Sequence, residues 1–381
     1  MPSRVELSEA AIPLAELLRD VVSIPTASYL EWGVRSYIRG FAERLGLAYT
    51  EDEFGNAYVR YQRGRTRRPL VLGAHMDHPG FVVRERRGQV AELEFRGGLG
   101  AQFGAGERLR LFSAERLEAA GRARVVEVRD ANGRITGAAA ELEGGAEVVA
   151  GDLALWDVPA FELRGTLVRA RQCDDLAGCA AILGVLERVA RARTPGTLIG
   201  LFTRAEEVGL RGASAAARAR LLPEDALVIA VETSSMAGGR AEQGAGPIIR
   251  VGDALHVFSP AMTQWMTSTA QELAVLGDGF RYQRKLMDGG VTEATAYDLY
   301  GYETGAACIA LGNYHNAGAR SKVAPETVDL GDLEGLVRLF VRMFETVPAF
   351  ERALPSLKRR YDRLAREAGP LLRRSRGPAT S

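Results

Sequence analysis

Five residues spread along the chain have side chains that bind divalent metal ions. They are His75 in GAHMDHPG, Asp174 in QCDDLAG, Glu207 in TRAEEVGLRGA, Glu232 in VETS and His315 in GNYHN. Two imidazoles and three carboxylates form a ligand set that suits a pair of such ions. The chain has only four histidines, and this set uses two of them. These residue types therefore predict a dinuclear metallohydrolase.

Two further acidic residues lie beside the candidate ligands. Glu206 precedes Glu207, and two adjacent buried carboxylates repel each other unless one of them has a partner. A metal ion on Glu207 would leave Glu206 free to act as a general base. Asp77 lies on the same side of an extended segment as His75, where a carboxylate can orient a metal-binding imidazole. Each motif alone also fits an ordinary structural role, and the pair Asp174-Asp175 could simply cap a helix.

Strands and helices alternate along most of the chain, and the candidate residues follow the strands. Continuous apolar runs predict strands that are buried on both faces, and apolar residues at helical spacing predict the helices between them. Ligands of open α/β sheets bind beyond the carboxyl ends of the strands, so several strand ends would point at one crevice. The predicted strands lie at 57–61, 69–74, 198–203, 227–231 and 307–311, and the predicted helices at 14–22, 31–45, 175–190 and 333–346.

A different pattern interrupts this alternation after Gly80. Short alternating runs and dense glycine predict a mostly β region, and Asn132-Gly133 between two such runs is a strong hairpin signal. We therefore predict an α/β catalytic domain that is discontinuous in sequence, formed by residues 1–80 and 166–350. Residues 81–165 would form an inserted β domain. Residues 351–381 would form a basic C-terminal tail, a solvated helix end with a frayed terminus.

Composition excludes several classes of function. The net charge of +1 gives no attraction to nucleic acid or to an anionic membrane. The chain lacks a run of about 18 uncharged apolar residues and the apolar core of a signal peptide. Three cysteines without a CxxC pair favour a reducing compartment. We therefore expect a cytoplasmic protein that does not bind nucleic acid or membranes.

Several segments resemble the tetrahedral, or glutamyl (deblocking), aminopeptidases, a family of dizinc metallopeptidases. RAEEVGLRGA is very close to that family's QEEVGLRGA segment, and GAHMDHPGFVV is similar to its HMDxxGF segment. CDDLAGC, QGAGPIIRVGD and DGGVTEAT resemble three further segments in the same order. The resemblance implies a phosphorylase/hydrolase-like α/β catalytic domain with a mixed sheet and an inserted, mostly β domain.

The resemblance also implies a role for each candidate residue. His75 and Glu232 would bind one metal ion, Glu207 and His315 the other, and Asp174 would bridge the two, followed by a cis peptide bond. Glu206 would be the general base and Asp77 would orient His75. The ions would be two divalent metals per chain, zinc first, with cobalt or manganese as alternatives. The implied protein is a homo-oligomeric aminopeptidase that acts on peptides.

Two other classes of function remain open at this point. Within the same clan of enzymes, the chain could be a carboxypeptidase, a dipeptidase or an amide deacylase. Outside enzymes, it could be an oligomeric scaffold that keeps the fold without catalysis. The complete ligand set and Glu206 argue against a scaffold. The predicted insertion between His75 and Asp174 favours an aminopeptidase, because the carboxypeptidase-type relatives insert a domain after the segment that matches Glu232.

Overall fold

The computed structural model describes residues 11–64, 68–239 and 241–375. Within these residues the helices are α1 (Leu14–Val22), α2 (Trp32–Arg44), α3 (Leu176–Ala192), α4 (Arg211–Arg218), α5 (Pro260–Val275), α6 (Glu293–Leu299), α7 (Leu330–Glu345) and α8 (Ala353–Arg374). The strands are β1 (Ala48–Glu51), β2 (Ala57–Arg63), β3 (Leu70–His75), β4 (Gly80–Arg87), β5 (Val90–Arg96), β6 (Arg108–Phe112), β7 (Ala119–Ala131), β8 (Arg134–Glu143), β9 (Leu153–Trp156), β10 (Phe161–Arg164), β11 (Leu167–Ala170), β12 (Gly196–Thr203), β13 (Leu227–Ser235), β14 (Ile248–Arg250), β15 (Gln283–Lys285), β16 (Glu303–Leu311) and β17 (Glu326–Asp329).

An eight-stranded mixed sheet forms the centre of the molecule, in the order β1-β2-β12-β3-β13-β16-β14-β15. The four strands β12, β3, β13 and β16 run parallel, so their carboxyl ends meet at one edge. Every residue of β3 and β12 is buried, as the continuous apolar runs in the sequence predict. This sheet, together with the separate β region, confirms the predicted fold class.

Helices cover both faces of this sheet because the strand side chains alternate between the faces. Leu70 and Leu72 pack in one core with α1, α2, α3, α5 and α7, whereas Val71 points the other way and packs with residues of α4 and α6. The predicted helices over residues 14–22, 31–45, 175–190 and 333–346 are confirmed to within a few residues at their ends. The sheet is thus fixed from both sides, which holds the strand ends in place.

A closed six-stranded barrel follows β3 directly, in the order β4-β5-β8-β7-β6-β9. Its interior contains aromatic side chains, with the Phe81 ring 5.2 Å from that of Trp156 and 4.8 Å from that of Phe95. The predicted hairpin is confirmed, because Asn132 and Gly133 both have positive φ and join β7 to β8. The barrel ends at Trp156, and a small three-stranded sheet outside it follows, in which β11 pairs with both β10 and β17. The division of the chain into domains at residues 80 and 166 remains a prediction.

The described part of the C-terminal segment is a solvated helix. Helix α8 continues for 22 residues, and none of its residues is buried. Its first turns lie against α5, which explains why the helix continues past α7. The last residues of the predicted tail, 376–381, lie outside the described residues. In the described parts of the chain, no helix is long and apolar enough to span a membrane.

Candidate metal centre

The structure brings the five candidate ligands together at the carboxyl edge of the central sheet. His75 ends β3, Glu207 follows β12, and His315 lies four residues after β16. Glu232 lies inside β13 rather than after it, because the strand continues to Ser235 by pairing with β16. Asp174 lies in the turn before α3, and the peptide bond to Asp175 is cis, as the resemblance implied.

The carboxylate of Asp174 lies between the two imidazoles. Its Oδ1 is 3.4 Å from Nε2 of His75, and its Oδ2 is 3.6 Å from Nε2 of His315. Nε2 of His315 is also 3.2 Å from Oε2 of Glu207, and Nε2 of His75 is 4.0 Å from Oε2 of Glu232. This arrangement has two halves that share Asp174, which is the arrangement that a bridging carboxylate requires.

Both imidazoles are fixed by hydrogen bonds at their other ring nitrogen. Nδ1 of His75 lies 3.0 Å from the carbonyl oxygen of Asp77, and Nδ1 of His315 lies 2.6 Å from the carbonyl oxygen of Gly98. A carbonyl can only accept, so Nδ1 must carry the proton in each ring, and Nε2 is the ring nitrogen that faces the carboxylates and could bind a metal ion. Backbone acceptors of this kind orient metal-binding histidines. Gly98 belongs to the barrel region, so the barrel helps to build the site.

The carboxylate of Asp77 contacts more of the site than the sequence predicted. Its Oδ1 accepts the backbone N–H of Glu206 at 3.0 Å, and its Oδ2 accepts the N–H of Glu207 at 3.2 Å and the hydroxyl of Ser28 at 2.6 Å. The same carboxylate is 3.5 Å from Nδ1 of His75, farther than the carbonyl oxygen of the same residue. Asp77 is therefore placed to hold the Glu206-Glu207 turn as well as the imidazole.

Three buried carboxylate oxygens at the site have no hydrogen-bond partner among the described residues. They belong to Asp175, Glu207 and Glu232. An unpaired buried carboxylate is costly unless a cation is near it, so the site fits divalent metal ions. Nitrogen and oxygen atoms of three residue groups lie close enough to share an ion, namely His75 with Asp175 and Glu232, His75 with Glu206 and Glu207, and Asp174 with Glu207 and His315.

Asp175 was not among the predicted ligands. In the structure its carboxylate both caps a helix and lies beside the candidate ligands. Its Oδ1 accepts the N–H of Gly178 at 3.2 Å, which caps α3 as the sequence suggested for this acidic pair. Its Oδ2 is one of the unpartnered oxygens. One oxygen of the same carboxylate lies close enough to His75 and Glu232 to share an ion with them. Burial, followed by the nearby carboxylates, raises the pKa of Asp175 well above its usual value.

Glu206 lies at the mouth of the site and reaches the His75 half. Its Oε2 is 3.8 Å from Nε2 of His75, and its side chain is 14% exposed, the largest exposure among the acidic residues at the site. Burial and the neighbouring carboxylates raise its pKa well above the usual value for a glutamate. Ala205 has a positive φ of 54°, and its N–H is accepted by Glu31. This turn directs Glu206 toward the site.

Glu326 is a buried residue that the sequence analysis did not single out. Its Oε2 accepts the N–H of Cys173 at 2.7 Å and that of Asp174 at 3.1 Å, and its Oε1 accepts the N–H of His315 at 2.8 Å. One carboxylate on β17 thus holds the backbones of two candidate ligands that are 141 positions apart. No sequence motif indicated Glu326, because it accepts hydrogen bonds from backbone N–H groups, which every residue except proline has.

Arg250 is a second residue that the motifs did not reveal. It lines the same cleft as the candidate ligands and is 5% exposed. Its guanidinium donates to the carbonyl oxygen of Thr233 and to Ser234, the two residues that follow Glu232 in β13. The positive charge of Arg250 partly offsets burial in setting the pKa of Glu232, which is about 8. Arg250 therefore fixes the strand that carries this candidate ligand.

His78 and His256, the two histidines that the sequence left outside the site, have structural contacts. Nδ1 of His78 lies 2.7 Å from the carbonyl oxygen of Asp174, and its Nε2 lies 3.3 Å from Oδ1 of Asn316. His78 therefore supports the candidate ligand Asp174 through its backbone. His256 lies elsewhere and contacts Asp298.

A family model and several known proteins are similar to this chain. A family model described as M42 glutamyl aminopeptidase matches residues 55–339. The glutamyl aminopeptidase of Lactococcus lactis is 26% identical over 289 residues, which are 69% of this chain and 79% of that protein. The TET1 peptidase of Pyrococcus horikoshii has a similar structure, with a TM-score of 0.71, 23% identity and coverage of 87% of this chain and 99% of its own. An aminopeptidase of Desulfurococcus kamchatkensis has a TM-score of 0.74, with 20% identity over 87% of this chain and 94% of its own.

Proposed function

Because the chain belongs to the M42 glutamyl aminopeptidase family, we propose that it removes residues from the free N-termini of peptides with the help of two divalent metal ions. The observation that carries the proposal is the position of Asp174, whose two oxygens lie 3.4 and 3.6 Å from the Nε2 atoms of two histidines. His75 and Glu232 would hold one ion and Glu207 and His315 the other, with Asp174 shared.

The ions would polarise the scissile carbonyl and lower the pKa of a water molecule at the site. Zinc is the first expectation, because two imidazoles with carboxylates suit it, and cobalt or manganese would suit the same ligands. The unpartnered oxygens of Glu207 and Glu232 support this assignment.

Glu206 is placed to act as the general base. It projects into the cleft beside His75, and burial with the neighbouring carboxylates raises its pKa above the usual glutamate value, which makes it a stronger base than an exposed glutamate. It would accept a proton from the attacking water and pass it to the departing amine. Asp77 holds the backbone of Glu206 through an N–H bond of 3.0 Å, so it acts by positioning the base.

The position of the barrel favours an aminopeptidase over a carboxypeptidase of the same clan. The barrel lies between His75 and Asp174 in the chain, and the connection between its strands β5 and β6 contributes Gly98 to the site. The segment from Glu232 to His315 contains β14, β15, α5, α6 and β16, all of which belong to or pack on the central sheet.

The test compares one peptide in three forms with the zinc- or cobalt-loaded protein. The peptide is supplied with free ends, with an acetylated N-terminus or with an amidated C-terminus, in sets that vary the first residue. We expect cleavage from the N-terminus of the free and amidated forms and none of the acetylated form. Equal cleavage of the acetylated form, or release of C-terminal residues first, would contradict an aminopeptidase.

We further propose that the protein is a cytoplasmic homo-oligomer. The TET1 peptidase of Pyrococcus horikoshii, which has a similar structure, can assemble into a tetrahedron or a large octahedral shell. The three cysteines are buried free thiols, which suits a reducing compartment. Sedimentation of the purified chain tests the assembly, and a chain that remains monomeric at micromolar concentration would contradict it.

A further inference from the structure

Helix α8 presents an apolar stripe that is uncovered beyond its first turns, which lie against α5 in the described chain. Its exposed apolar side chains include Tyr361 and Leu371, both 63% exposed, and Leu364, which is 46% exposed. The helix lies beyond residue 339, where the match to the family model ends. The stripe therefore needs an explanation that the shared fold does not supply.

The apolar residues of this stripe repeat with the spacing of a coiled-coil seam. They alternate in steps of three and four residues along the helix, which is the a and d pattern of a heptad. The seam, as we define it, contains Leu354, Leu357, Tyr361, Leu364, Ala368 and Leu371. An a/d seam is narrower than the apolar face that packs on a globular core or lies in a membrane surface. The spacing favours a single helix as the partner.

We propose that the seam pairs with the same seam of a second copy of this chain, in an antiparallel two-helix contact. In a twofold arrangement of this kind, Leu354 would meet Leu371 of the second copy, Leu357 would meet Ala368, and Tyr361 would meet Leu364. The twofold symmetry forms each of these three residue pairs twice, so all six seam residues of each helix have a partner. Pro370 lies at an outward heptad position, where its ring stays clear of the seam.

The charges beside the seam favour the antiparallel over the parallel orientation. Arg360 and Glu367 occupy g positions, and antiparallel pairing places Arg360 of each copy opposite Glu367 of the other. Parallel pairing would instead place these residues opposite Ala365 and Leu372, which carry no charge. Glu367 lies 4.0 Å from Arg363 on its own helix, a separation at which it remains free to pair across the contact. Two complementary ion pairs thus select a second copy of the same helix.

The test uses the full-length chain and measures self-association by sedimentation velocity over a range of concentrations. We expect Leu364→Asp to abolish the α8 contact, because it places two carboxylates in the central layers. Arg360→Glu and Glu367→Arg should each weaken the association roughly tenfold, since each turns two attractive pairs into repulsive ones. The double variant should restore it, because the pairs then form with their signs exchanged.

Arg366→Glu is the matched control, with the same change of charge on the outward face of the helix. It should leave the association unchanged, and all variants should keep the peptidase activity per chain, since α8 contributes nothing to the cleft. The proposal is overturned if the two single reversals behave like Arg366→Glu, or if the double variant fails to recover. It is also overturned if Leu364→Asp changes only the binding of phosphatidylserine-containing vesicles, since the stripe would then be a membrane surface. This test does not depend on the proposed activity.

Discussion

Replacing Glu326 by glutamine tests whether one buried carboxylate organises both halves of the candidate metal centre. The wild-type side chain accepts three backbone N–H groups, those of Cys173, Asp174 and His315. Glutamine has the same shape but only one accepting oxygen, and its amide group would face at least one N–H donor. The fewest hydrogen bonds are lost if the glutamine oxygen still accepts the N–H groups of Cys173 and Asp174, so that only the N–H of His315 loses its acceptor.

The size of this effect follows from the lost bond. A hydrogen bond to a charged group contributes about 1.5–3 kcal/mol, and the freed N–H of His315 is buried. Metal binding must then also restore the position of His315. Each 1.4 kcal/mol corresponds to a factor of ten, so metal affinity should fall about 10- to 100-fold. That range is typical of residues that do not bind the metal themselves but hydrogen-bond to its ligands.

Competition with a chromophoric zinc chelator measures the two dissociation constants of the metal-depleted variant. Asp332→Asn is the matched control, because Asp332 is also a buried carboxylate and accepts the N–H groups of Gly244 and Gly246. None of these residues is a candidate ligand, so the control should lose stability and keep its metal affinity. If Glu326→Gln loses stability to the same extent and binds zinc as tightly as the wild type, Glu326 supports only the fold and the reasoning is wrong.

Three further outcomes follow from the site and the core. Glu206→Gln should lower kcat by about 10²–10⁴-fold with nearly unchanged metal content, and a near-normal kcat would remove Glu206 from the base role. Chelation should lower the melting temperature, because Glu207 and Glu232 lose their cations. Added zinc at about 100 times its Kd should restore about 2.7 kcal/mol for each of the two sites, whereas an unchanged melting curve would count against the metal centre. Burial raises the pKa of Glu293 to about 7 from its usual 4.5, so the wild type binds a proton there that the unfolded chain releases, and it loses stability as the pH rises through this window. Glu293→Gln should avoid that loss, so its free energy of unfolding should rise relative to that of the wild type by up to about 3 kcal/mol between pH 4.5 and 8. Urea titrations at several pH values measure this difference. A difference that does not change with pH would contradict the prediction.

The positions of the candidate ligands could be predicted from the sequence because they follow strongly apolar strands. The runs that end near His75 and Glu206 have no charged residue and no alternation of polar with apolar residues, so they are expected to be central strands of a covered sheet. Parallel strands then bring their carboxyl ends to one edge. The hairpin at Asn132-Gly133 was also predictable, since both residues tolerate positive φ.

The groups that hold these ligands could not be predicted, because most of them are backbone atoms or act on backbone atoms. The carbonyl oxygen of Gly98 fixes His315 from 217 positions away, and every residue has a carbonyl. The role of Glu326 becomes visible only in the structure, where it accepts hydrogen bonds from three N–H groups in two turns that are distant in sequence. The motif HxD led us to expect a carboxylate on the His75 ring, whereas the nearer acceptor is the carbonyl oxygen of Asp77.

The barrel and the sheet depend on each other at the metal centre. Strand β3 ends at His75, and β4 of the barrel begins at Gly80, so only four residues separate a candidate ligand from the inserted strands. Asp77 lies in that connection and holds the turn that carries Glu206 and Glu207, while Gly98 of the barrel region holds His315. The barrel region therefore contributes to both halves of the site. The connection between β3 and β4 holds the Glu206-Glu207 turn, and the connection between β5 and β6 holds His315. This region is therefore part of what orients the candidate ligands, through Asp77 on one side of the site and Gly98 on the other.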